Sequence, residues 1–498
     1  MKARTGRLHV TRTLHRFLPD PQRAILRPYL PGEEGPVEGR SRVECVLDRI
    51  LALPEEEIPA VWERIRAAFS SRHRDFESVL ADHFRLVSNR LKCTERLSPE
   101  RERLIGAYFT HEYSIEGASL CNPSLVPAQD QSELPGGALR FIMSLRAVGE
   151  GHLSSIEFRS GVIESDGKIL FEPTSPFVSS GRREANPSYS KAVFALKLED
   201  LGVWNEVSQS ILDSLQERFS LEELSSAVAS VQSTQISRTM SHETLARIHW
   251  LATSNYEVTF SADSPISERV IFPSSPTESH GMEDARFVRF VEDDGSDRYY
   301  ATYTAFDGQK ILPQLIETAD FVEFRVLTLN GALAHNKGMA LFPRRIRGRF
   351  AMLSRHDNEN LHFLTSDDIH LWNHGDPLQA PSKAWEFIQI GNCGSPIETE
   401  AGWLVLTHGV GPMRRYTIGA MLLDRDDPRR VIGRLAEPLL EPEWDERDGY
   451  VPNVVYTCGA IVHNGRLILP YGFSDTGTGI ATTPLDELLS RLESGSAG

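Results

Sequence analysis

Short apolar stretches that stop abruptly at polar residues recur five times, from the second quarter of the chain to its end. They cover residues 139–146, 299–306, 349–356, 402–409 and 466–473. The last four recur at roughly 50 to 65 residues, a period typical of repeat architectures such as propellers. Each stretch has a shorter strand pattern before it and another after it. The pattern predicts a mainly β fold, a five-bladed β-propeller whose first blade spans residues 122–159.

The N-terminal quarter has a helical period instead. Apolar residues recur at helical spacing within residues 41–115, and Ser98 before Pro99 is a helix-start signal. Residues 1–40 are rich in arginine and proline, which predicts an extended arm whose basic residues are solvated, with a role at a site or subunit interface as the less frequent alternative. These basic residues are Arg4, Arg7, Arg12 and Arg16.

We therefore expect two regions. An N-terminal arm and helical region would span residues 1–115, and a catalytic propeller would span residues 116–490. Helical periodicity returns at about 185–255, which predicts a helical insert within the propeller.

Composition narrows the class of protein. The net charge of −16 argues against nucleic-acid binding, although a local cationic cluster can still bind a small anion. The five cysteines are widely spaced and odd in number, which favours reduced thiols in a cytoplasmic protein. No apolar run has the length of a membrane span, and no secretory signal pattern follows the basic N-terminus. We expect no membrane association.

Polar residues stand at equivalent points of the repeats. In an up-and-down blade, the start of the inner strand and the end of the second strand lie at the same end of the sheet. Both sets should therefore meet in one pocket. The residues at inner-strand starts are Asn122, Asp284, Lys337, Asn392 and Asn453, and those at second-strand ends are Arg146, Asp307, Arg355, His408 and Asp475.

Such a pocket suits a particular chemistry. A single carboxylic acid can act as a general acid at a glycosidic oxygen. Arginine, lysine, histidine and tyrosine together suit an anion with several oxygens, such as phosphate. An inverting hydrolase would need a second carboxylate to activate water, whereas phosphate is already a nucleophile. Taken singly, the residues also have structural explanations: Asp284 and Lys337 as turn residues, Arg355 as a strand cap, His408 as a buried structural histidine and Tyr416 as a core residue.

Several long phrases at these residues resemble glycoside hydrolase family 130, the inverting beta-mannoside phosphorylases and related hydrolases. The resemblance covers roughly residues 118–490, apart from the insert, and implies a five-bladed propeller. The phrases are GMEDAR at 281–286, NKGMALFPRRI at 336–346, AMLSR at 351–355, GSPIETEAGWL at 394–404, HGV at 408–410, GAMLLD at 419–424 and GYVPNVVY at 449–456.

The resemblance implies a mechanism and roles. Asp284 would be the catalytic acid, protonating the leaving oxygen through the mannose 3-hydroxyl while phosphate attacks the anomeric carbon from the opposite face to give alpha-mannose 1-phosphate. Lys337, Arg355, His408 and Tyr416 would hold the phosphate. Arg146 would contact the sugar. Weaker candidates for the reacting subsite are Asn122, Asp307, Asn453 and Asp475.

This sequence departs from the family at three positions. Ala285 stands where the family usually has proline, Lys337 replaces an arginine of many members, and Gln389 stands where the phosphorylases commonly carry lysine. The related hydrolases lack phosphate ligands and carry additional carboxylates, for which Glu359, Glu386 or Asp307 would be the water-activating candidates here. The retained cations favour phosphorolysis.

The expected substrates are an oligosaccharide or small glycoside and inorganic phosphate, with no metal or organic cofactor. A beta-mannoside hydrolase on the same scaffold and a non-catalytic sugar- or anion-binding propeller remain as alternatives. The helical N-terminal region would support a homo-oligomer or shape the acceptor side of the pocket.

Overall fold

The computed structural model describes residues 8–32, 41–91, 96–185, 188–232 and 238–494 and contains two compact units. The smaller unit comprises residues 20–117 and 175–179, and the larger unit comprises the rest of the chain.

The smaller unit contains helices where the apolar period predicts them. The side chain of Ser41 accepts a hydrogen bond from the Glu44 backbone, and Ser98 caps a later helix in the same way. In chain order, the elements are β1 (Thr11–Phe17, in the larger unit), β2 (Ala24–Pro28), α1 (Arg42–Leu51), α2 (Ile58–Phe69), α3 (Phe76–Ser88), α4 (Pro99–Tyr108) and β3 (Thr110–Ser114), with β2 paired to β3.

Strands dominate the larger unit. The elements up to its middle are β4 (Ser119–Pro127), β5 (Leu139–Val148), β6 (Ser154–Ile163), β7 (Ile169–Phe171), β8 (Arg182–Ala185), β9 (Tyr189–Ser190), α5 (Lys191–Asp200), α6 (Glu206–Asp213), β10 (Arg218–Phe219), α7 (Leu221–Gln232), α8 (Arg238–Thr253), β11 (Tyr256–Thr259), β12 (Val270–Ile271), β13 (Met282–Val291), β14 (Asp297–Phe306), β15 (Ile311–Thr318) and β16 (Glu323–Thr328).

The remaining elements are β17 (Lys337–Leu341), β18 (Phe350–Arg355), β19 (Leu361–Ser366), β20 (His374–Gln379), β21 (Gln389–Asn392), β22 (Ile397–Thr399), β23 (Gly402–Val410), β24 (Tyr416–Leu423), β25 (Val431–Arg434), β26 (Val455–Tyr456), β27 (Ile461–His463), β28 (Arg466–Phe473), β29 (Gly477–Pro484) and α9 (Leu485–Ser494).

Within the described residues, these strands form five antiparallel sheets of four or more strands, and β9 pairs with β10 separately. The first sheet has the order β4-β5-β6-β12 with β7 beside β6, and the second has the order β13-β14-β15-β16-β11-β8. The third is β17-β18-β19-β20, the fourth is β21-β23-β24-β25 with β22 beside β23, and the fifth is β26-β28-β29-β1 with β27 beside β28. The five repeated apolar stretches fall on β5, β14, β18, β23 and β28, so their prediction as strands is confirmed.

Each sheet packs on the next one along the chain, and the fifth packs on the first. One apolar core joins the first and second sheets, and others join the second to the third, the third to the fourth and the fourth to the fifth. A further core joins the fifth sheet to the first, with Ile468 and Ile480 against Leu125 and Met143. Burial of this apolar surface is the main force that holds the sheets together.

The four helices α5–α8 lie between β8 and β11, which pair with each other at the edge of the second sheet. The helices have an apolar core of their own, including Phe194, Ile211 and Leu251. The ammonium of Lys197 donates a hydrogen bond of 2.7 Å to the Leu329 carbonyl, next to the second sheet.

The expectation of a solvated N-terminal arm is wrong for the described residues 11–17. These residues form β1, which pairs with β29 in the fifth sheet. Arg12 and Arg16 bind the buried carboxylate of Glu446 at 2.9 and 3.0 Å. A buried carboxylate needs such partners, and the sequence does not indicate the pairing because 430 residues or more separate the groups.

Candidate active site

Bulges near the start of β4, β13 and β17 shape the site. The pairing register shifts between Cys121 and Ser124 in β4, between Glu283 and Arg286 in β13, and between Lys337 and Ala340 in β17. Asn122 (φ 50°) and Asp284 (φ 55°) take left-handed backbone conformations at these bulges. Because a bulge re-aims the side chain beside it, the sequence position alone does not define where these groups point.

The Asp284 carboxylate lies between an amide and an arginine. Asn122 Nδ2 donates to Asp284 Oδ1 at 2.6 Å, and Arg286 Nη2 lies 3.5 Å from Asp284 Oδ2. Arg286 is itself held by the Cys393 carbonyl and the Tyr456 hydroxyl, both at 2.8 Å from its nitrogens. These bonds fix Arg286, so the Asp284 carboxylate has a defined position.

Glu283 connects two cations across the site. Its Oε1 accepts from Arg146 Nη2 at 2.8 Å, and its Oε2 accepts from Lys337 Nζ at 2.6 Å. The three residues lie on β5, β13 and β17, which belong to three different sheets. The neighbouring carboxylates Glu283 and Asp284 therefore have separate sets of partners.

The charges around Asp284 decide its ionisation. Burial alone would raise the pKa of Asp284, but the positive charges of Arg286, Arg146 and Lys337, together with the Asn122 hydrogen bond, lower it below its ordinary value. Burial raises the pKa of Asp475, and the carboxylates of Asp284 and Glu283 add to this rise although Arg146 opposes it. The two aspartates consequently have opposite shifts in one site.

Arg355 differs from the other cations of the site. It is 8% exposed, and no carboxylate lies within ion-pair distance of it among the described residues. Its Nη1 donates at 3.3 Å to the Asn358 carbonyl, and its buried Nε has no partner within the described protein. Burial lowers the pKa of Arg355. A buried guanidinium with so few bonds is suited to an anionic ligand.

His408 lies beside Arg355 and is also buried. Gly391 permits this approach, since a Cβ there would lie 2.5 Å from His408 Cε1 and 3.1 Å from Arg355 Cδ. Burial and the charge of Arg355 lower the pKa of His408 well below its ordinary value, so the ring is neutral at neutral pH. Gln389 Nε2 lies 3.3 Å from His408 Nε2. The neutral ring offers a donor or an acceptor rather than a charge.

Tyrosines close this side of the site. The Tyr416 ring stacks on His408 with centroids 6.1 Å apart, and the Tyr456 ring meets His408 edge-on at 5.0 Å. The side chain of Asn392 is buried, and neither of its amide atoms has a hydrogen-bond partner within the described protein. Several polar groups on this side thus have free hydrogen-bonding capacity.

Most of the predicted site residues lie together, and two of them have hydrogen-bond partners outside this cluster. Asp284, Lys337, Arg355, His408, Tyr416, Arg146, Asn122 and Asp475 are linked by the contacts and charge interactions above. The Asp307 carboxylate instead accepts from the backbone N–H groups of Gln309 and Lys310, which caps its own hairpin. The Asn453 side chain accepts from Arg447 Nε at 2.8 Å.

Two candidates for a water-activating base are also placed elsewhere. Glu386 is buried and bound by Arg434 at 2.7 and 2.8 Å, so it has a structural partner. Glu359 is exposed, in the turn after β18. Neither joins the contacts around Asp284 among the described residues.

Sequence reasoning did not assign roles to Glu283, Arg286 or Tyr456. Glu283 and Arg286 flank Asp284 in the same phrase, GMEDAR, and their proximity to the acid was the available signal. Tyr456 ends the phrase GYVPNVVY, in which Asn453 is the predicted site residue. The bonds of these residues cross between sheets and depend on the tertiary structure.

Four cysteines in the described residues, Cys45, Cys121, Cys393 and Cys458, are free thiols. No cluster of three or more histidine, cysteine or acidic side chains suited to a metal ion occurs in the described ranges. In the same part of the chain, no helix is long and apolar enough to cross a membrane.

Comparisons with known proteins place the chain in a family. A family model described as beta-1,4-mannooligosaccharide phosphorylase matches residues 240–494, just over half of the 498 residues. A 1,2-beta-oligomannan phosphorylase of Thermoanaerobacter sp. (strain X514) is 34% identical over 231 residues, which are 45% of this chain and 75% of that protein. A beta-1,4-mannooligosaccharide phosphorylase of Ruminococcus albus is 33% identical over 222 residues, 42% of this chain and 65% of that protein.

Among solved structures, beta-1,2-mannobiose phosphorylase from Listeria innocua in complex with beta-1,2-mannobiose matches with a TM-score of 0.45 and 21% identity, over 77% of this chain and 93% of that one. The family match and the sequence relatives show that the chain is an enzyme that belongs to glycoside hydrolase family 130.

Proposed function

We propose that the protein is an inverting phosphorylase that cleaves beta-mannosides with phosphate and releases alpha-mannose 1-phosphate. The phosphorylase names of the sequence relatives support this. The observation that carries the proposal is the buried guanidinium of Arg355, which pairs with no carboxylate of the described residues and lies in the same cluster as the Asp284 carboxylate. A hydrolase has no need of such a group, whereas a phosphorylase must hold an anionic nucleophile.

We infer that the five sheets are the blades of a five-bladed propeller with a helical insertion at α5–α8. The continuous series of apolar cores, in which the fifth sheet packs on the first, supports this inference. In this arrangement β4, β13, β17, β21 and β26 are the innermost strands. Their starts meet at one end of the central axis, which explains why residues far apart in the chain share one site.

In the proposed mechanism, a phosphate oxygen attacks the anomeric carbon while the bond to the leaving oxygen breaks on the opposite face. Asp284 supplies the proton, which reaches the leaving oxygen through the mannose 3-hydroxyl. Attack from the opposite face converts the beta linkage into an alpha phosphate ester. Phosphate contacts Arg355, Lys337, His408 and Tyr416.

Asn122 and Arg146 bind the reacting sugar beside the acid, and no cofactor takes part.

In this proposal, bound phosphate also raises the pKa of the acid, Asp284. In the ligand-free protein the surrounding cations keep the pKa of Asp284 low, so its carboxyl is ionised at neutral pH. An anion bound to Arg355 and Lys337 offsets this positive charge and favours the protonated form. Asp284 would then acquire its proton in the complex that needs it.

One observation favours hydrolysis as a second candidate. Gln389, a neutral amide, lies against His408 at the position where a cation is expected in a phosphorylase. Asp475 would then be the second carboxylate, since it lies within range of the Asp284 and Arg146 charges. A hydrolase of this kind releases free mannose and does not depend on phosphate.

The test is a product assay with beta-1,2- and beta-1,4-mannobiose, with and without phosphate. We expect alpha-mannose 1-phosphate, and turnover that requires phosphate. Arg355→Met should raise KM for phosphate about a hundredfold, because a charge-assisted bond in a buried site is lost. Arg349→Met, which removes an arginine paired with Asp367 at the other end of the same hairpin, is the matched control. If free mannose formed without phosphate, the protein would be a hydrolase and the proposed phosphorolysis would be wrong.

A further inference from the structure

Asn392, the last residue of β21, has a buried side-chain amide without a partner. The residue is 0% exposed, and neither Nδ2 nor Oδ1 has a hydrogen-bond partner within the described protein. Folding removes both groups from water without replacing their hydrogen bonds, which costs free energy. A buried polar group of this kind in a folded protein needs an explanation, and a ligand that bonds it is one.

The surroundings of Asn392 place its amide near Arg355. A Cβ atom at Gly338 would lie 3.8 Å from Asn392 Oδ1 and 3.4 Å from Arg355 Cβ. Gly338 follows Lys337, which is directly opposite Arg355 in the pairing of β17 with β18. A Cβ atom at Gly391, the residue before Asn392, would lie 3.1 Å from Arg355 Cδ. The amide therefore adjoins the strands that carry two of the cations proposed to hold phosphate.

A second buried amide provides a comparison. Asn330 is also 0% exposed, and its side chain has no hydrogen-bond partner among the described residues. Its backbone N–H and carbonyl bond to His370 and Trp372, both at 2.8 Å, in the loop between β19 and β20. Asn330 is thus an amide of the same kind in different surroundings, and burial alone does not distinguish Asn392 from it.

An amide beside cations can distinguish anions of similar size and charge. The guanidinium of Arg355 only donates hydrogen bonds, so by itself it would bind any oxyanion of that kind. The Asn392 amide both donates and accepts. Phosphate keeps a hydroxyl group at neutral pH and can donate to the amide oxygen, whereas sulfate has no hydrogen to donate. Sulfate would leave a buried acceptor unpaired, and sites of this kind discriminate strongly between ligands.

We propose that Asn392 is a specificity-determining residue of the anion site and makes it select oxyanions that carry a hydroxyl, phosphate and arsenate, over sulfate and selenate, which carry none. This inference rests on the proposed function for the presence of an anion at Arg355. The Asn392 Nδ2 donates to a charged oxygen of the anion, and Oδ1 accepts from its hydroxyl. Both amide groups then have the partners that the protein does not supply.

The test measures binding of the four anions to the full-length protein, without sugar, by calorimetric titration. Wild type should bind phosphate and arsenate about a hundredfold more tightly than sulfate and selenate, since the latter leave a buried acceptor unpaired. Asn392→Leu, which keeps the approximate size of the side chain, should bring all four anions to similar affinity. Asn330→Leu is the matched control and should keep the wild-type preference. Arg355→Met should weaken binding of all four.

Asn392→Asp gives a readout that a merely structural role would not move. Its carboxylate still accepts from a hydroxyl but repels an anion that has none. Phosphate should therefore bind more weakly than in wild type, and sulfate should not bind measurably. Equal affinities of the wild type for phosphate and sulfate, or an unchanged preference in Asn392→Leu, would overturn the inference. If Asn392→Leu did not fold, the wild-type preference and Asn392→Asp would still decide.

Anion binding also separates this inference from the proposed function. If mannosides are cleaved by phosphate but sulfate binds as tightly as phosphate, the proposed function stands and the role of Asn392 is wrong. If no mannoside is cleaved by phosphate but the preference among anions depends on Asn392, the proposed function is wrong and the role of Asn392 stands. If none of the four anions binds, both are wrong.

Discussion

The two buried arginines of the site, Arg286 and Arg355, have opposite surroundings. Arg286 binds the Cys393 carbonyl, the Tyr456 hydroxyl and Asp284, whereas the Arg355 side chain has, within the part of the chain that the structure describes, a single long bond to a carbonyl. Burial lowers the pKa of both, but the tyrosine, thiol and carboxylate groups around Arg286 reverse the shift and raise its pKa. The pKa of Arg355 stays lowered.

Under the proposed function, the difference separates an arginine with a structural role from an arginine that binds the anionic substrate. The bonds of Arg286 are complete within the protein, so it can position Asp284 without a substrate. Arg355 has been removed from water without an equivalent partner, which costs free energy of folding. A bound anion would recover that free energy, and for this reason the affinity for phosphate should depend on Arg355.

The largest effect on turnover should come from substitution of Asp284, the carboxylate that Arg286 contacts. Asp284→Asn keeps the shape of the side chain but removes the proposed proton donor, and we expect turnover of the mannoside to fall about a thousandfold. The measurement is the rate of mannose 1-phosphate release. Asp294→Asn, an exposed carboxylate at the other end of the β13–β14 hairpin, should behave as wild type. Unchanged turnover in Asp284→Asn would remove it from the mechanism.

The two arginines should differ next in stability. Arg286→Met leaves Asp284 and the Tyr456 hydroxyl without their buried partner and should lower the free energy of unfolding by about 3 kcal/mol. Arg355→Met removes a poorly bonded buried charge and should leave the unfolding midpoint in phosphate-free buffer unchanged or higher. Thermal unfolding of both variants checks this. If both variants were destabilised equally, the two arginines would not differ in their contribution to folding.

The pH profile of activity should shift when phosphate is bound at Arg355. In the proposed mechanism catalysis requires protonated Asp284, so activity should fall as pH rises through its pKa, which the cations lower in the free enzyme. Bound phosphate, which offsets the charge of more than one of these cations, should raise that pKa by up to about three units. The fall in kcat at saturating phosphate should occur at higher pH than the fall in kcat/KM, after allowance for phosphate ionisation. If kcat and kcat/KM fell at the same pH, phosphate bound at Arg355 would have no effect on the pKa of Asp284.

The smallest effect should come from Gln389, beside neutral His408. Gln389→Lys adds a cation to the Arg355 side and should lower KM for phosphate about threefold, a gain typical of a partly exposed charge. Steady-state kinetics with varied phosphate measure this. Gln379→Lys, on the outer strand β20, is the matched control. A higher KM would show that the amide, rather than a cation, is what His408 requires.

The sequence indicated the cluster better than it indicated individual roles. Asp284, Lys337, Arg355 and His408 were predicted to meet because they stand at equivalent points of a repeat, and the structure brings them together. Asp307 fits the same pattern but caps its own hairpin, since an aspartate at a strand end can bond the turn that follows it. Local pattern does not distinguish these two outcomes.

The sequence by itself determined the strands, their repeat and the family, because alternating apolar residues and the phrases around Asp284 are properties of short segments. Only the tertiary structure decided the pairing of charges: that Glu283 joins Arg146 to Lys337, that Glu446 receives Arg12 and Arg16, and that no carboxylate of the described residues pairs with Arg355. The physical reason is that the energy of a buried charge depends on the groups within a few ångströms of it. Those groups come from sheets far apart in the chain.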